Sequence, residues 1–93
     1  MRITLLSKPG FSGSMLVKKI EEAAKSRYLD IEVNLNQKMD EADVVLLTPQ
    51  REGDLEGIKT VVKVPVGVIS LRDFGLLNGD GILKYATQLT DTK

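Results

Sequence analysis

The residues of this chain best suited to chemistry are Ser7-Lys8-Pro9-Gly10-Phe11-Ser12-Gly13-Ser14. A short apolar run (Ile3, Leu5, Leu6) enters this stretch and an amphipathic run leaves it, so the spacing predicts strand, tight loop and helix start. Such a junction suits an anion. The first N–H groups of a helix have no intrahelical acceptor, and the aligned peptide dipoles leave partial positive charge at that end. Gly10 and Gly13 admit backbone angles closed to other residues and let an anion approach the main chain. Ser7 sits where the strand becomes the loop, so its hydroxyl is expected to point into the cradle.

Other site types fail on spacing or residue type. The nucleotide loop G-x-x-x-x-G-K-[ST] is absent, because Gly10 and Gly13 are too close and no Lys-Ser/Thr follows. The dinucleotide fingerprint G-x-G-x-x-G is also absent. A phosphatase loop of the tyrosine type needs Cys and a later Arg, where this chain has Ser7 and Gly13. With no His, a nucleophilic serine would have only Lys or a carboxylate as its base. Asp40, Glu41 and Asp43 read as a solvated rim rather than metal ligands, so neither metal nor cofactor is expected. There are plain readings too. Gly-rich strand–helix turns occur in α/β proteins that bind no anion, and a lone serine at such a place more often caps or turns the chain.

The elements that must hold this loop follow from periodicity. Leu16, Val17, Ile20, Ala23 and Ala24 share one face of a helix over residues 14–26, for which Ser12 or Ser14 can act as cap. Ile31, Val33 and Leu35 alternate with polar residues, as in a strand near a sheet edge. Residues 36–42 leave room for a turn or a single helical turn. Val44-Val45-Leu46-Leu47 has no polar face, which predicts a central strand buried on both sides and ending at Thr48-Pro49. Leu55, Ile58, Val61 and Val62 form a third helical pattern, with Gly53 and Gly57 blurring its start. A further strand covers residues 64–69, with Pro65 near its beginning, where a missing N–H is tolerated. Residues 73–81 read as loop. Ile82, Leu83, Tyr85, Ala86 and Leu89 give a closing helix, and residues 90–93 a frayed tail.

Strands alternating with helical crossovers predict one three-layer α/β domain over residues 1–93, built on an open, four-stranded parallel sheet with helices on both faces. Ligands of such sheets bind beyond the carboxyl ends of the strands, where strand order reverses. An order of 2-1-3-4 places that point between the first and third strands. Ser7, Thr48-Pro49-Gln50 and the segment Arg72-Asp73-Phe74 then share one rim.

Composition narrows the function classes. Thirteen basic and thirteen acidic side chains cancel, and only four aromatics are present, so nucleic acid has no electrostatic footprint here. No apolar run approaches the length of a membrane span, and the opening residues read as a strand rather than a signal peptide. A cytoplasmic location is the default expectation. The absence of Cys excludes disulfides and thiolate metal sites.

Taken together, three segments carry a family resemblance. Leu5-Leu6-Ser7-Lys8-Pro9-Gly10-Phe11-Ser12-Gly13-Ser14-Met15-Leu16-Val17 resembles the active loop of enzyme IIB proteins of the lactose/cellobiose branch of the bacterial sugar phosphotransferase system. Ala42-Asp43-Val44-Val45-Leu46-Leu47-Thr48-Pro49-Gln50 is similar to the family's third strand and its Gly-Pro-Gln exit. Phe74-Gly75, Asn78-Gly79 and Ile82-Leu83-Lys84 are similar to a Tyr-Gly pair, an Asp-Gly pair and the last helix. The resemblance implies a phosphoryl carrier. A loop Cys accepts the group from a phosphohistidine on a IIA-type donor and passes it to a sugar entering through a IIC-type membrane component. By the same resemblance Lys8, Gly10, Phe11, Ser12, Gly13 and Ser14 form the phosphate-binding loop. Thr48, Pro49, Gln50 and Phe74 form the rim for docking.

This chain departs from that pattern at the acceptor, where Ser7 replaces Cys. A thiol with a pKa of about 8.5, lowered further at a helix N-terminus, readily supplies a thiolate. A serine hydroxyl stays protonated and needs a base. Pro9 removes one main-chain donor from the loop. Lys8 adds a cation directed either to the anion or to solvent, and Phe11 in place of a usual Met is a packing exchange. Three readings stand: a IIB transferase whose Cys was exchanged for Ser to stop its chemistry, a naturally diverged binding or regulatory module, and a carrier or sensor phosphorylated on serine.

Overall fold

The two runs least able to face water, in β1 (Arg2–Leu6) and β3 (Val44–Leu47), form the centre of the sheet. The computed structural model describes residues 1–10 and 12–91. β2 (Glu32–Leu35) pairs with the outer side of β1 and β4 (Val66–Val68) with the outer side of β3, all parallel, in the order β2-β1-β3-β4. The expected order 2-1-3-4 is therefore the order found. Ile3 lies between Val33 and Val44, and Leu5 between Leu35 and Leu46. All four residues of β3 are buried, as a strand without a polar face requires.

Side-chain alternation splits the core into two layers. On one face Ile3, Leu5, Val44 and Leu46 pack with Leu16 and Ile20 of α1 (Gly13–Ser26) and with Ile82, Leu83 and Ala86 of α4 (Gly79–Asp91). On the other face Leu6, Val45 and Leu47 pack with Leu55 and Ile58 of α2 (Leu55–Val61). This is the three-layer arrangement expected of alternating strands and helices.

Several boundaries move, each for a local reason. α1 begins at Gly13, and neither expected cap acts: the Ser12 side chain makes no cap bond, and Ser14 lies inside the helix. Residues 36–42 contain a 3-10 turn at Met39–Glu41, and a second, Pro49–Asp54, runs directly into α2. β4 is shorter than residues 64–69, although the Pro65 carbonyl still accepts from Val45 N–H at 3.0 Å. Of residues 73–81, expected as loop, only 76–78 lie outside helices. Ser70 Oγ accepts the Asp73 N–H at 3.1 Å and opens α3 (Leu71–Gly75); Asn78 Oδ1 accepts the Gly81 N–H at 3.1 Å where α4 begins. Side-chain caps thus convert turn-forming residues into helix starts. At the other end α4 runs through Asp91, with Thr90 Oγ1 donating to the Thr87 carbonyl at 2.9 Å, so residues 90 and 91 are not frayed. Residues 92 and 93 lie outside the described residues.

Gly79 shows what holds α4 against α1. A Cβ there would overlap the backbone carbonyl of Lys19, which belongs to a packed helix and has no room to yield. Gly79→Ala is expected to destabilise the fold by about 1–3 kcal/mol, the usual cost of overpacking, seen as a lower urea midpoint with an unchanged slope.

Candidate functional site

β1 ends at Leu6, and the chain must then turn back over the sheet to begin α1. Ser7 is the first residue of that turn and is only 3% exposed. Its N–H donates to Asn36 Oδ1 at 2.8 Å, and its Oγ–H donates to the Lys8 carbonyl at 3.3 Å. The return is close: a Cβ on Gly13 would stand 3.0 Å from Leu35 Cδ1, 3.1 Å from Ser7 Cβ and 3.2 Å from Ser7 Oγ. Glycine at 13 therefore sets the first residue of α1 directly against Ser7. Gly10 holds φ +86°, a left-handed angle that glycine takes without steric cost.

The N-terminus of α1 is left open to an anion. Ser12 makes no side-chain cap bond, and the first turn contains no acidic residue to compete for the N–H groups. Lys8, Pro9, Gly10, Ser12 and Ser14 are exposed and Gly13 is buried. The expected loop residue Phe11 lies outside the described residues.

The sequence pattern puts Asn36 at the end of the alternating strand and the start of the 36–42 turn, and gives it no role at the site. Asn36 holds φ +55° at the exit of β2, a conformation that Asn tolerates better than most side chains, and from there it braces the Ser7 amide. Polar residues at a strand exit with αL tendency were the available signal.

Thr48-Pro49-Gln50 stands beside this loop at the end of β3. The Thr48 N–H donates to the Leu6 carbonyl at 3.0 Å, which continues the β1–β3 ladder past its last pair, Leu6 with Leu47. Pro49 opens the following 3-10 turn and is partly buried. Thr48 is fully buried, and Thr48 Oγ1 and Gln50 Oε1 are both buried without a hydrogen-bond partner. An orphaned buried polar group costs about 1–3 kcal/mol, so two at one strand exit require a reason. The segment Arg72-Asp73-Phe74 belongs to α3 beyond the edge strand. Phe74 packs against the α1/α4 core, while Arg72 and Asp73 line a separate cleft of about 480 Å³ with Lys84 and Tyr85, to which residues 7–14 contribute nothing.

The electrostatics at this end come mainly from backbone. Glu32 is held below the ordinary carboxylate range by the Asn34 hydrogen bond and by Arg2, but it sits at the opposite end of the sheet and braces the β1–β2 edge. Among the described residues no group of three His, Cys, Asp or Glu side chains is placed to hold a metal. No helix of the described residues is long and apolar enough to cross a membrane.

Residues 2–85 match the family described as "PTS system, Lactose/Cellobiose specific IIB subunit". The galactose-specific EIIB component of Lactococcus lactis subsp. cremoris and the cellobiose-specific EIIB component of Lactococcus lactis subsp. lactis are each 31% identical over 101 aligned positions, covering 94% of both chains. A solved cellobiose-specific IIB component from Borrelia burgdorferi superposes with a TM-score of 0.79 at 31% identity, covering 100% of this chain and 94% of that one. The lactose-specific IIB domain of Streptococcus pneumoniae gives a TM-score of 0.82 with 96% of each chain covered; at 14% identity that likeness concerns the fold.

The brace on Ser7 can be tested without disturbing the backbone angle. Asn36→Gly keeps a residue at ease with positive φ but removes the acceptor of a buried N–H. It is expected to cost about 1–3 kcal/mol of stability and to speed hydrogen exchange at the Ser7 amide.

Proposed function

The chain belongs to the lactose/cellobiose-specific IIB family of the sugar phosphotransferase system, and on that premise we propose that residues 7–14 are its phosphoryl-binding loop, with the covalent step blocked at Ser7. In this reading the chain docks a IIA-type phosphohistidine donor and a IIC-type membrane component. It offers the incoming phosphoryl group the open end of α1, with Ser7 at the position of the acceptor.

The observation that supports the proposal is the close approach of Ser7 to Gly13, the first residue of a helix without a side-chain cap. Backbone N–H groups so placed favour the spread negative charge of a phosphoryl group in transfer. Chemistry at the acceptor is the missing part. In the carrier reaction a thiolate sulfur forms its bond to phosphorus as the donor's N–P bond breaks, and the imidazole nitrogen leaves with the electron pair. Ser7 offers a neutral hydroxyl whose proton is directed at the Lys8 carbonyl, and a carbonyl oxygen is no general base. The site therefore keeps the shape for transfer and lacks the nucleophile.

The test is intact-mass analysis after incubation with a phosphohistidine-loaded IIA donor, on this chain and on Ser7→Cys. The expected result is one phosphoryl group on the Cys variant and none on the parent. Phosphorylation of the parent at Ser7 would favour a serine carrier instead. If neither chain is modified by cognate or related donors, the binding-module reading replaces this one.

A further inference from the structure

Three side-chain hydroxyls are buried at the sheet: Thr4, Ser7 and Thr48. Thr4 Oγ1 donates to the carbonyls of Gln37 and Lys38 at 3.1 and 3.3 Å, and Ser7 Oγ donates to that of Lys8. Thr48 Oγ1, with Thr48 at 0% exposure, has no hydrogen-bond partner among the described residues. As far as the strand is concerned, valine would fill the same space and carry no such group. A hydroxyl kept here at a cost to the fold has its use in another state of the protein.

Its position identifies that use. Leu5 and Leu46 face the α1/α4 layer, whereas Leu6 and Leu47 face α2. Alternation places Ser7 and Thr48, the next residue of each strand, back on the α1/α4 side, on neighbouring strands about 4.8 Å apart. The Thr48 N–H bond to the Leu6 carbonyl fixes that register. Thr48 Oγ1 thus shares one face and one strand end with the acceptor position and with Gly13, where α1 begins. A phosphoryl group held there has only acceptor oxygens to offer once ionised, and a hydroxyl is the uncharged side chain that donates to them.

We infer that Thr48 Oγ1 is a side-chain donor to a phosphoryl or phosphate oxygen bound over Ser7. The inference rests on the proposed phosphoryl-binding role of residues 7–14 and adds a ligand-binding residue from a different strand. Because the hydroxyl has no exposed surface, binding requires a local rearrangement at this strand end, which amide signals there report directly.

The experiment is a titration of the full chain with inorganic phosphate, followed by amide chemical shifts and calorimetry. It uses the parent, Thr48→Val and Thr48→Ala to remove the hydroxyl, and Thr48→Ser to retain it. Loss of one charge-assisted hydrogen bond predicts that the Val and Ala variants bind phosphate at least about tenfold more weakly, with Thr48→Ser within about threefold of the parent. Thr48→Val should also unfold at a higher urea concentration than the parent, so that weaker binding is not traced to a weaker fold. If Thr48→Val binds phosphate as tightly as the parent, the Thr48 assignment falls and the loop reading stands. If phosphate leaves residues 8–14 of the parent unmoved, the loop reading falls and the assignment falls with it.

Discussion

The close return of the chain from β1 to α1 is the constraint from which the rest of this end of the molecule follows. Gly13 must lie against Ser7 and Leu35 for α1 to cross the sheet at packing distance, and any side chain there would press on both. The same contact buries Ser7, places the helix N-terminus over the strand end and leaves residues 8–10 exposed as a bridge. Asn36 completes the arrangement from the neighbouring strand by satisfying the Ser7 amide. One glycine thereby couples the packing of a layer to the shape of the strand–helix junction.

Polar groups are distributed unevenly over the two ends of the sheet. At the amino end, Arg2 is engaged with Glu32 and Glu41, and its amide is held by Asp43 at 2.7 Å. These exposed pairs add little stability individually, though they tie β1 to both neighbours. At the carboxyl end an ion pair, Arg51 with Asp54 at 2.9 Å, lies in the turn after β3, while Thr48 Oγ1 and Gln50 Oε1 are buried without a partner among the described residues. Charged pairs thus tie the amino end of β1 to its neighbours, while unsatisfied buried capacity collects at the end where parallel sheets commonly bind ligands.

Serine at position 7 separates two properties that cysteine combines. In the proposed reading size and position are retained, so the strand end and the helix start keep a geometry suited to a phosphoryl group. Reactivity is lost, because a hydroxyl does not ionise near neutral pH and its present acceptor is a backbone carbonyl.

Much of the architecture was legible in the chain itself. The polar-free run of β3 suited the centre of the sheet, the alternation of β2 suited an edge, and crossovers between parallel strands were compatible with the order found. The loop at residues 7–14 was legible as well, because its glycines interrupt two strong periodicities. What failed was local reading where punctuation residues serve long-range packing. Gly79 and Asn78 fell in a stretch read as loop, yet Gly79 is the contact point of two helices and Asn78 bonds the Gly81 amide at the start of α4. Asn36 as the brace of Ser7 and Thr48 as an unpaired hydroxyl beside it were decided by tertiary structure alone. Periodicity reports which face of an element is buried, whereas the partner of a buried polar atom depends on segments far away in sequence that only folding brings together.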